Sequence, residues 1–128
     1  MNPPHIEEAL RSLRLADRDI VAFETLRDAP RASLASACFH AQQAIEKCIK
    51  GVLFQNQIEF RRTHDLTVLT NLLSKNGIKL PVSDDQLAEI NPCAVDFRYD
   101  EETITLPNRE MMTELVTVLR EWAGKWVG

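Results

Sequence analysis

One uninterrupted apolar face over residues 34–53 is the feature that most constrains this fold. A helix with such a face is predicted to lie in the core, and the small residues on the face let neighbouring helices approach closely. On its opposite side we expect Gln43, Glu46 and Lys50 to face outward, available for recognition. The apolar arc has no charged member and consists of Leu34, Ala37, Cys38, Ala41, Ala44, Ile45, Cys48, Ile49 and Val52.

Further helices are predicted around this central one, each with a recognisable start. Prolines suit the first turn of a helix, and Ser, Thr and Asn side chains cap the free backbone N–H groups there. Gly51 points to a close helix crossing, and Gly77 supplies the left-handed residue that ends a helix. We therefore predict an all-α, up-and-down bundle of about five helices, one domain over residues 1–128. The predicted start residues are Pro3 and Pro4, Ser33, Thr63, Ser83 with Gln86, Asn91 and Asn108.

Composition narrows the partners and the compartment. The formal net charge of −4 argues against broad electrostatic binding to nucleic acid. Of the three cysteines, Cys38 and Cys48 lie on one helix face too far apart to bridge, so we expect reduced thiols. No stretch has the pattern of a secretion signal or a membrane span. These features predict a cytoplasmic protein without a membrane segment.

Several kinds of site are not supported by the sequence. The three histidines lie in different segments, and no Cys or His pair has the spacing of zinc ligands. The core cysteines lack a nucleophile's surroundings, and no glycine-rich phosphate loop is present. We therefore expect no metal and no cofactor, and neither an ATPase nor a dinucleotide-dependent enzyme.

Two carboxylates, Asp17 and Glu24, project into the apolar arc of the first helix. Carboxylates that are buried there need partners. One interpretation is that they orient a catalytic or ligand-binding base on a facing helix. The other is that both reach the rim of the arc and pair with Arg or Lys.

A set of polar side chains remains as the candidate binding site. Arginine offers a planar fork for phosphate, lysine a point charge and tyrosine a stacking surface, so such a set can hold a nucleotide. Arg61 and Arg62 add positive charge at the start of the third helix. The alternative is a solvated face of ion pairs and a basic turn, with the tyrosine closing the core. The candidate residues are Gln43, Glu46, Lys47, Lys50, His64, Arg98 and Tyr99.

Three segments resemble the HEPN domain (higher eukaryotes and prokaryotes nucleotide-binding). They are the run His40–Lys50 (HAQQAIEKCIK), Thr63–Leu66 (THDL) and Phe97–Asp100 (FRYD), in the family's order and spacing. The resemblance covers roughly positions 9 to 123. It implies a helical bundle that forms a homodimer and is often encoded with a minimal nucleotidyltransferase in toxin–antitoxin-type systems. The spare apolar faces of the first two helices, Phe39 included, are the expected dimer contact.

The chain departs from the family's catalytic pattern. Active branches of the family are metal-independent ribonucleases with an Arg followed four to six residues later by a His that serves as general acid or base. After Arg98 those positions hold Glu102, Thr103 and Ile104. We therefore predict a non-catalytic HEPN-type module that binds nucleotide or RNA, or acts as the partner subunit of a minimal nucleotidyltransferase. The alternatives are a divergent ribonuclease toxin and a purely structural assembly protein.

Overall fold

The computed structural model describes residues 1–94 and 106–128, and every regular element in those ranges is helical. A short 3-10 helix, Asn91–Ala94, directly follows the fourth α-helix. The all-α prediction is thereby confirmed. The α-helices are α1 (Pro4–Asp28), α2 (Leu34–Gln55), α3 (Leu66–Lys75), α4 (Asp84–Ile90) and α5 (Arg109–Trp126).

Helix α2 lies at the centre of the bundle, as the apolar face predicts. It packs against each of the other four α-helices and against the 3-10 helix. Fourteen of its 22 residues are buried, more than one helical face alone supplies. Polar side chains on its other faces are therefore enclosed as well, and this has consequences for the candidate site.

Helices α1 and α2 form an antiparallel pair in close contact. Ser12 Oγ donates a hydrogen bond of 2.7 Å to the backbone carbonyl of Lys47. Further along α1, Asp19 pairs with His40, which comes before Lys47 in α2, so the two helices run in opposite directions. At Gly51 an added Cβ would lie 3.1 Å from the Leu13 side chain. The predicted close crossing at Gly51 is therefore present, between α2 and the first half of α1.

Helix α5 runs antiparallel to α1 and is fastened to it by a two-pronged ion pair. Arg120 Nε and its terminal nitrogen donate to the two oxygens of Asp17 at 2.7 and 3.3 Å. This hydrogen bond raises the pKa of Arg120 above its ordinary value. Asp17 thus pairs at the rim of the bundle rather than orienting a base, and Glu24 is exposed.

The helix starts follow the predicted capping residues with two exceptions. One is Asn91, which lies within the 3-10 helix and whose side chain accepts from the Leu66 N–H at the start of α3 instead of capping its own helix. The side chains of Ser33, Ser83 and Asn108 accept hydrogen bonds from backbone N–H groups of the first turn, and Ser83 forms a full capping box. The prediction that Thr63 caps α3 is wrong. Asp65 is the cap, since its side chain accepts from the Thr67 N–H. Thr63 Oγ1 instead accepts from the N–H of Asp65, which precedes the helix.

Helices α2 and α3 end in the same way, although different residues occupy the critical position. After each helix one residue is left-handed, and the next N–H returns to a carbonyl five residues earlier. Gly77, with φ of +72°, fills this position after α3, as predicted. Gln57, with φ of +56°, fills it after α2, where a side chain makes this conformation costly.

The expectation of three reduced thiols is wrong for two of the cysteines. Cys38 on α2 and Cys93 in the 3-10 helix form a disulfide, with their Cα atoms 5.6 Å apart. Spacing along one helix gives no sign of this pair, because its members are separated by 55 residues. Cys48 is buried and free, and burial raises the pKa of its thiol to about 12. Its predicted role as an unreactive core residue fits these surroundings.

Candidate functional site

A buried carboxylate on α2, that of Glu46, organises the polar residues of this region. Its side chain is only 3% exposed. Lys50, one helical turn further on, donates from Nζ to Glu46 Oε2 at 3.0 Å. The Lys50 side chain is 17% exposed, so its charge lies close to the surface while the carboxylate beneath it does not.

The second partner of Glu46 is His64, in the segment that precedes α3. Its Nδ1 lies 2.9 Å from Glu46 Oε1. A carboxylate only accepts hydrogen bonds, so this nitrogen carries the proton and Nε2 is the ring nitrogen left for another partner. The imidazole is 66% exposed. A solvent-facing imidazole is thereby held in one orientation by a group in the interior.

Two glutamines fix this arrangement from below. Gln42 Nε2 donates to the backbone carbonyl of His64 at 3.0 Å and reaches Glu46 Oε1 at 3.5 Å. Gln43 Nε2 in turn donates to Gln42 Oε1 at 2.7 Å. These bonds join α2 to the start of α3 and limit the movement of the imidazole. We call Gln42, Gln43, Glu46, Lys50 and His64 the Glu46 cluster.

The expectation that Gln43, Glu46 and Lys50 point outward into solvent is wrong for the first two. Gln43 is 9% exposed and Glu46 is almost fully enclosed, while Lys50 is half-buried. The physical reason is that α2 is covered on most sides, so its polar stripe is overlain by the segment around His64. The alternative interpretation, ion pairs of Glu46, Lys50 and Arg98 on a solvated face, is correct for the pairing of Glu46 with Lys50 but not for its solvated setting, and Arg98 lies outside the described residues.

Lys47 does not join this cluster, although it was predicted in the same site. It pairs instead with Asp19 of α1, whose other oxygen lies 3.0 Å from His40 Nδ1. Asp19 is largely buried between the two helices. Asp19, Lys47 and His40 thus form a second set of a carboxylate, a lysine and a histidine, located between α1 and α2. Asp19 was not among the predicted site residues, because nothing in its local sequence marks its long-range partners.

Next to the Glu46 cluster lies an open groove of about 690 Å³, formed by the end of α2, the following loop and the first turn of α1. Its apolar floor consists of half-buried side chains, Phe54, Ile58 and Phe60. Lys50 belongs to both regions, since its Nζ lies 5.8 Å from the centre of the Phe60 ring. We call this feature the Phe60 groove. No pattern in the sequence had predicted it.

Two of the predicted site residues, Arg98 and Tyr99, lie outside the described residues, so their predicted role stays a prediction. Within residues 1–94 and 106–128, no group of three His, Cys, Asp or Glu side chains is arranged to hold a metal ion. Over the same ranges no helix combines the length and apolar content needed to cross a bilayer.

The fold and the site define an all-α bundle whose central helix carries a buried glutamate bound to a lysine and a histidine. We compared the sequence with models of known protein families. The HEPN domain family matches residues 6–126, nearly the whole chain, and the chain belongs to that family. It is therefore a nucleotide- or RNA-related module in the general sense of the family. No curated protein and no solved structure matched the chain.

Proposed function

We propose that this chain is a non-catalytic HEPN module that binds a nucleotide at the Glu46 cluster. In this proposal it serves as the partner subunit of a minimal nucleotidyltransferase in a toxin–antitoxin-type system. The observation that carries the proposal is that Lys50 and His64 are held on opposite oxygens of one buried carboxylate. The Lys50 ammonium is a donor for a phosphate group, and the imidazolium form of His64 adds a second donor at Nε2; because both side chains are already held by Glu46, binding costs little side-chain ordering.

The absence of the family's Arg-to-His spacing after Arg98 supports a binding role rather than a catalytic one. The acidic balance of the chain supports a small ligand rather than a long nucleic acid, since broad phosphate contacts need an extended basic surface. A small ligand bound to this subunit would be presented to a catalytic partner.

Calorimetric titration with ATP, GTP and a short RNA tests the binding step. We expect saturable binding of a nucleotide, weakened about tenfold by Lys50→Gln, which removes a charge-assisted hydrogen bond, and by His64→Gln, which removes the imidazole contact. Lys79→Gln is the matched control, since Lys79 is an exposed lysine outside the cluster. The proposal loses its support when none of the three ligands gives heat with the unmodified protein.

The partner role needs a separate measurement. Co-purification with a nucleotidyltransferase encoded by the neighbouring gene is expected, and failure to form a complex would remove that half of the proposal. A homodimer through the spare faces of α1 and α2 belongs to the same proposal. Val21 on α1 is 64% exposed and is therefore open to such a contact. Light scattering measures the mass directly.

A second candidate function is metal-independent cleavage of RNA, favoured by one specific feature. An exposed imidazole oriented by a buried carboxylate is the arrangement that general acid–base catalysis uses. In this case His64 would take the role that no histidine after Arg98 can fill. Incubation of total RNA with chelator distinguishes the two functions: cleavage abolished by His64→Asn favours the enzyme, and intact RNA favours the binding module.

A further inference from the structure

The Phe60 groove has the chemistry of a nucleobase site rather than of a second phosphate site. We infer that it receives the base of the nucleotide whose phosphates bind at the Glu46 cluster and at Arg62. This inference rests on the proposed function and adds the position and the orientation of the ligand. Its volume of about 690 Å³ lies within the range typical of small-molecule sites.

The floor of the groove offers flat apolar surface for stacking. Phe54 and Phe60 meet edge to face, with ring centres 5.2 Å apart and planes at 65°. This contact fixes both rings while leaving them half-buried. A base stacked on a fixed aromatic ring gains binding free energy without ordering the side chain, and every base has a suitable face.

Charge in the groove is distributed as a nucleotide requires. Its lining includes two cations, Arg62 and the Lys50 that pairs with Glu46, together with the His5 imidazole and the carboxylate of Glu59, whereas the whole chain carries a net charge of −4. The positive side is continuous with the Glu46 cluster, because Lys50 contacts both Glu46 and the face of Phe60. Phosphate on that side and an uncharged base on the aromatic side match this polarity.

Gln57 adds an independent observation at the rim of the groove. It holds a left-handed backbone, φ of +56°, at the position where Gly77 ends α3. A glutamine there is strained relative to glycine, and strained residues concentrate at functional sites. Gln57 lines the groove, and an amide side chain can both donate to and accept from the edge of a base. In this inference the side chain is retained at a position that favours glycine because it contacts the ligand, which glycine could not do.

The test separates base from phosphate by using three probes: ATP, adenosine, which lacks phosphate, and ribose 5-phosphate, which lacks a base. Binding is followed by calorimetry and, for weak probes, by NMR titration. Phe60→Leu keeps the apolar volume but removes the ring, and Phe60→Tyr restores the ring. Arg62→Gln removes a surface charge, with Arg31→Gln in the α1–α2 loop as its matched control. Thermal unfolding of each variant verifies that it is folded.

We expect Phe60→Leu to weaken ATP and adenosine about tenfold and to leave ribose 5-phosphate unchanged. Phe60→Tyr should bind like the unmodified protein. Arg62→Gln should weaken ATP and ribose 5-phosphate but not adenosine, whereas Arg31→Gln changes none of them. This crossed pattern supports the inference.

Three results would overturn it. ATP binding that is unaffected by Phe60→Leu and Arg62→Gln would remove the groove from the site while the proposed function stands. Loss of a dimer on Phe60→Leu, with unchanged ATP affinity, would show that a second copy of the chain fills the groove. No binding of ATP, GTP or the short RNA by the unmodified protein would overturn both the proposed function and this inference.

Discussion

Oε1 of Glu46 lies 2.9 Å from Nδ1 of His64, although the first residue is enclosed by the bundle and the second is mostly in solvent. The contact connects the central helix directly to a surface side chain. Because Lys50 binds the other oxygen of the same carboxylate, one buried charge positions two surface groups. The stability of the fold and the geometry of the site therefore depend on the same residue.

Removal of this carboxylate should destabilise the protein. Glu46→Ala leaves the half-buried Lys50 ammonium and the His64 Nδ1–H without their acceptor, whereas Gln42 keeps its bond to the His64 carbonyl; a buried donor without a partner costs about 1–3 kcal/mol. We expect the free energy of unfolding to fall by about 2 kcal/mol, below the value for a fully buried ion pair because Lys50 keeps some contact with water. Urea unfolding at pH 7 measures the difference.

The matched control for this change is Glu89→Ala on α4, an exposed glutamate for which no ion pair is found within the described part of the chain. Its effect should stay within about 0.5 kcal/mol. Equal losses for the two variants would show that the Glu46 cluster contributes nothing to stability beyond an ordinary surface charge.

Gln57→Gly should raise the stability of the protein. The left-handed conformation of a residue with a Cβ costs about 1–2 kcal/mol, and glycine removes this cost. Glycine also gives the unfolded chain more entropy, which offsets about 0.5–1 kcal/mol of the gain. We expect a net gain of about 0.5–1 kcal/mol in urea unfolding, together with weaker nucleotide binding because the amide is lost.

Two variants separate the backbone effect from the side-chain effect at this position. Gln57→Ala keeps the Cβ and should give no gain, while Gly77→Ala introduces the same strain after α3 and should cost about 1 kcal/mol. A gain in Gln57→Ala as large as in Gln57→Gly would contradict the explanation.

Much of the fold could be predicted because its signals are local. The apolar arc of α2, the capping box at Ser83 and the glycine after α3 each act within a few residues, and each is found where it was expected. The cap of α3 was misplaced by two residues, since both Thr63 and Asp65 are good capping residues. Tertiary packing decides between them: Asn91 donates to the Asp65 carboxylate.

Gln43, Glu46, Lys50 and His64 of the Glu46 cluster were among the predicted residues, but Gln42, the Phe60 groove and the geometry were not predicted. A helical projection places Gln43 and Glu46 opposite the apolar arc, which for a surface helix means solvent. It cannot show that the chain around His64 folds over this stripe, nor that Asp19 diverts Lys47 toward α1. Both facts depend on contacts between residues far apart in sequence, as does the pairing of Cys38 with Cys93.

Thiol counting tests the disulfide. Denatured without reductant, the protein should show one reactive thiol, that of Cys48, and after reduction all three. In the native protein Cys48 should react slowly, because its buried thiol has a pKa of about 12. A bridge across 55 residues should stabilise the oxidised form by about 4 kcal/mol in the chain-entropy account. Cys48→Ala should retain that difference, whereas three thiols without reductant would contradict the bridge.

The cap of α3 makes part of the stability depend on pH. Asp65 accepts from the Asn91 side chain and from the Thr67 N–H, both at 3.0 Å. The hydrogen bond from Asn91, followed by that from Thr67, lowers the pKa of Asp65 below its ordinary 3.8. A carboxyl group whose pKa is lowered in the folded state contributes its full stabilisation at pH values above its pKa in the unfolded chain. The contribution is lost as the pH falls through 3.8 and then through the folded value.

Comparison with an uncharged cap isolates this contribution. Asp65→Asn keeps an oxygen for the Thr67 N–H and for Asn91 but does not titrate in this range, whereas Asp65→Ala removes the cap and should cost about 1 kcal/mol at pH 7. In urea unfolding, the advantage of the unmodified protein over Asp65→Asn should therefore be smaller at pH 3 than at pH 7, since only the natural carboxylate gains a proton. An advantage that is equal at both pH values would mean that the cap is held by its shape and not by its charge.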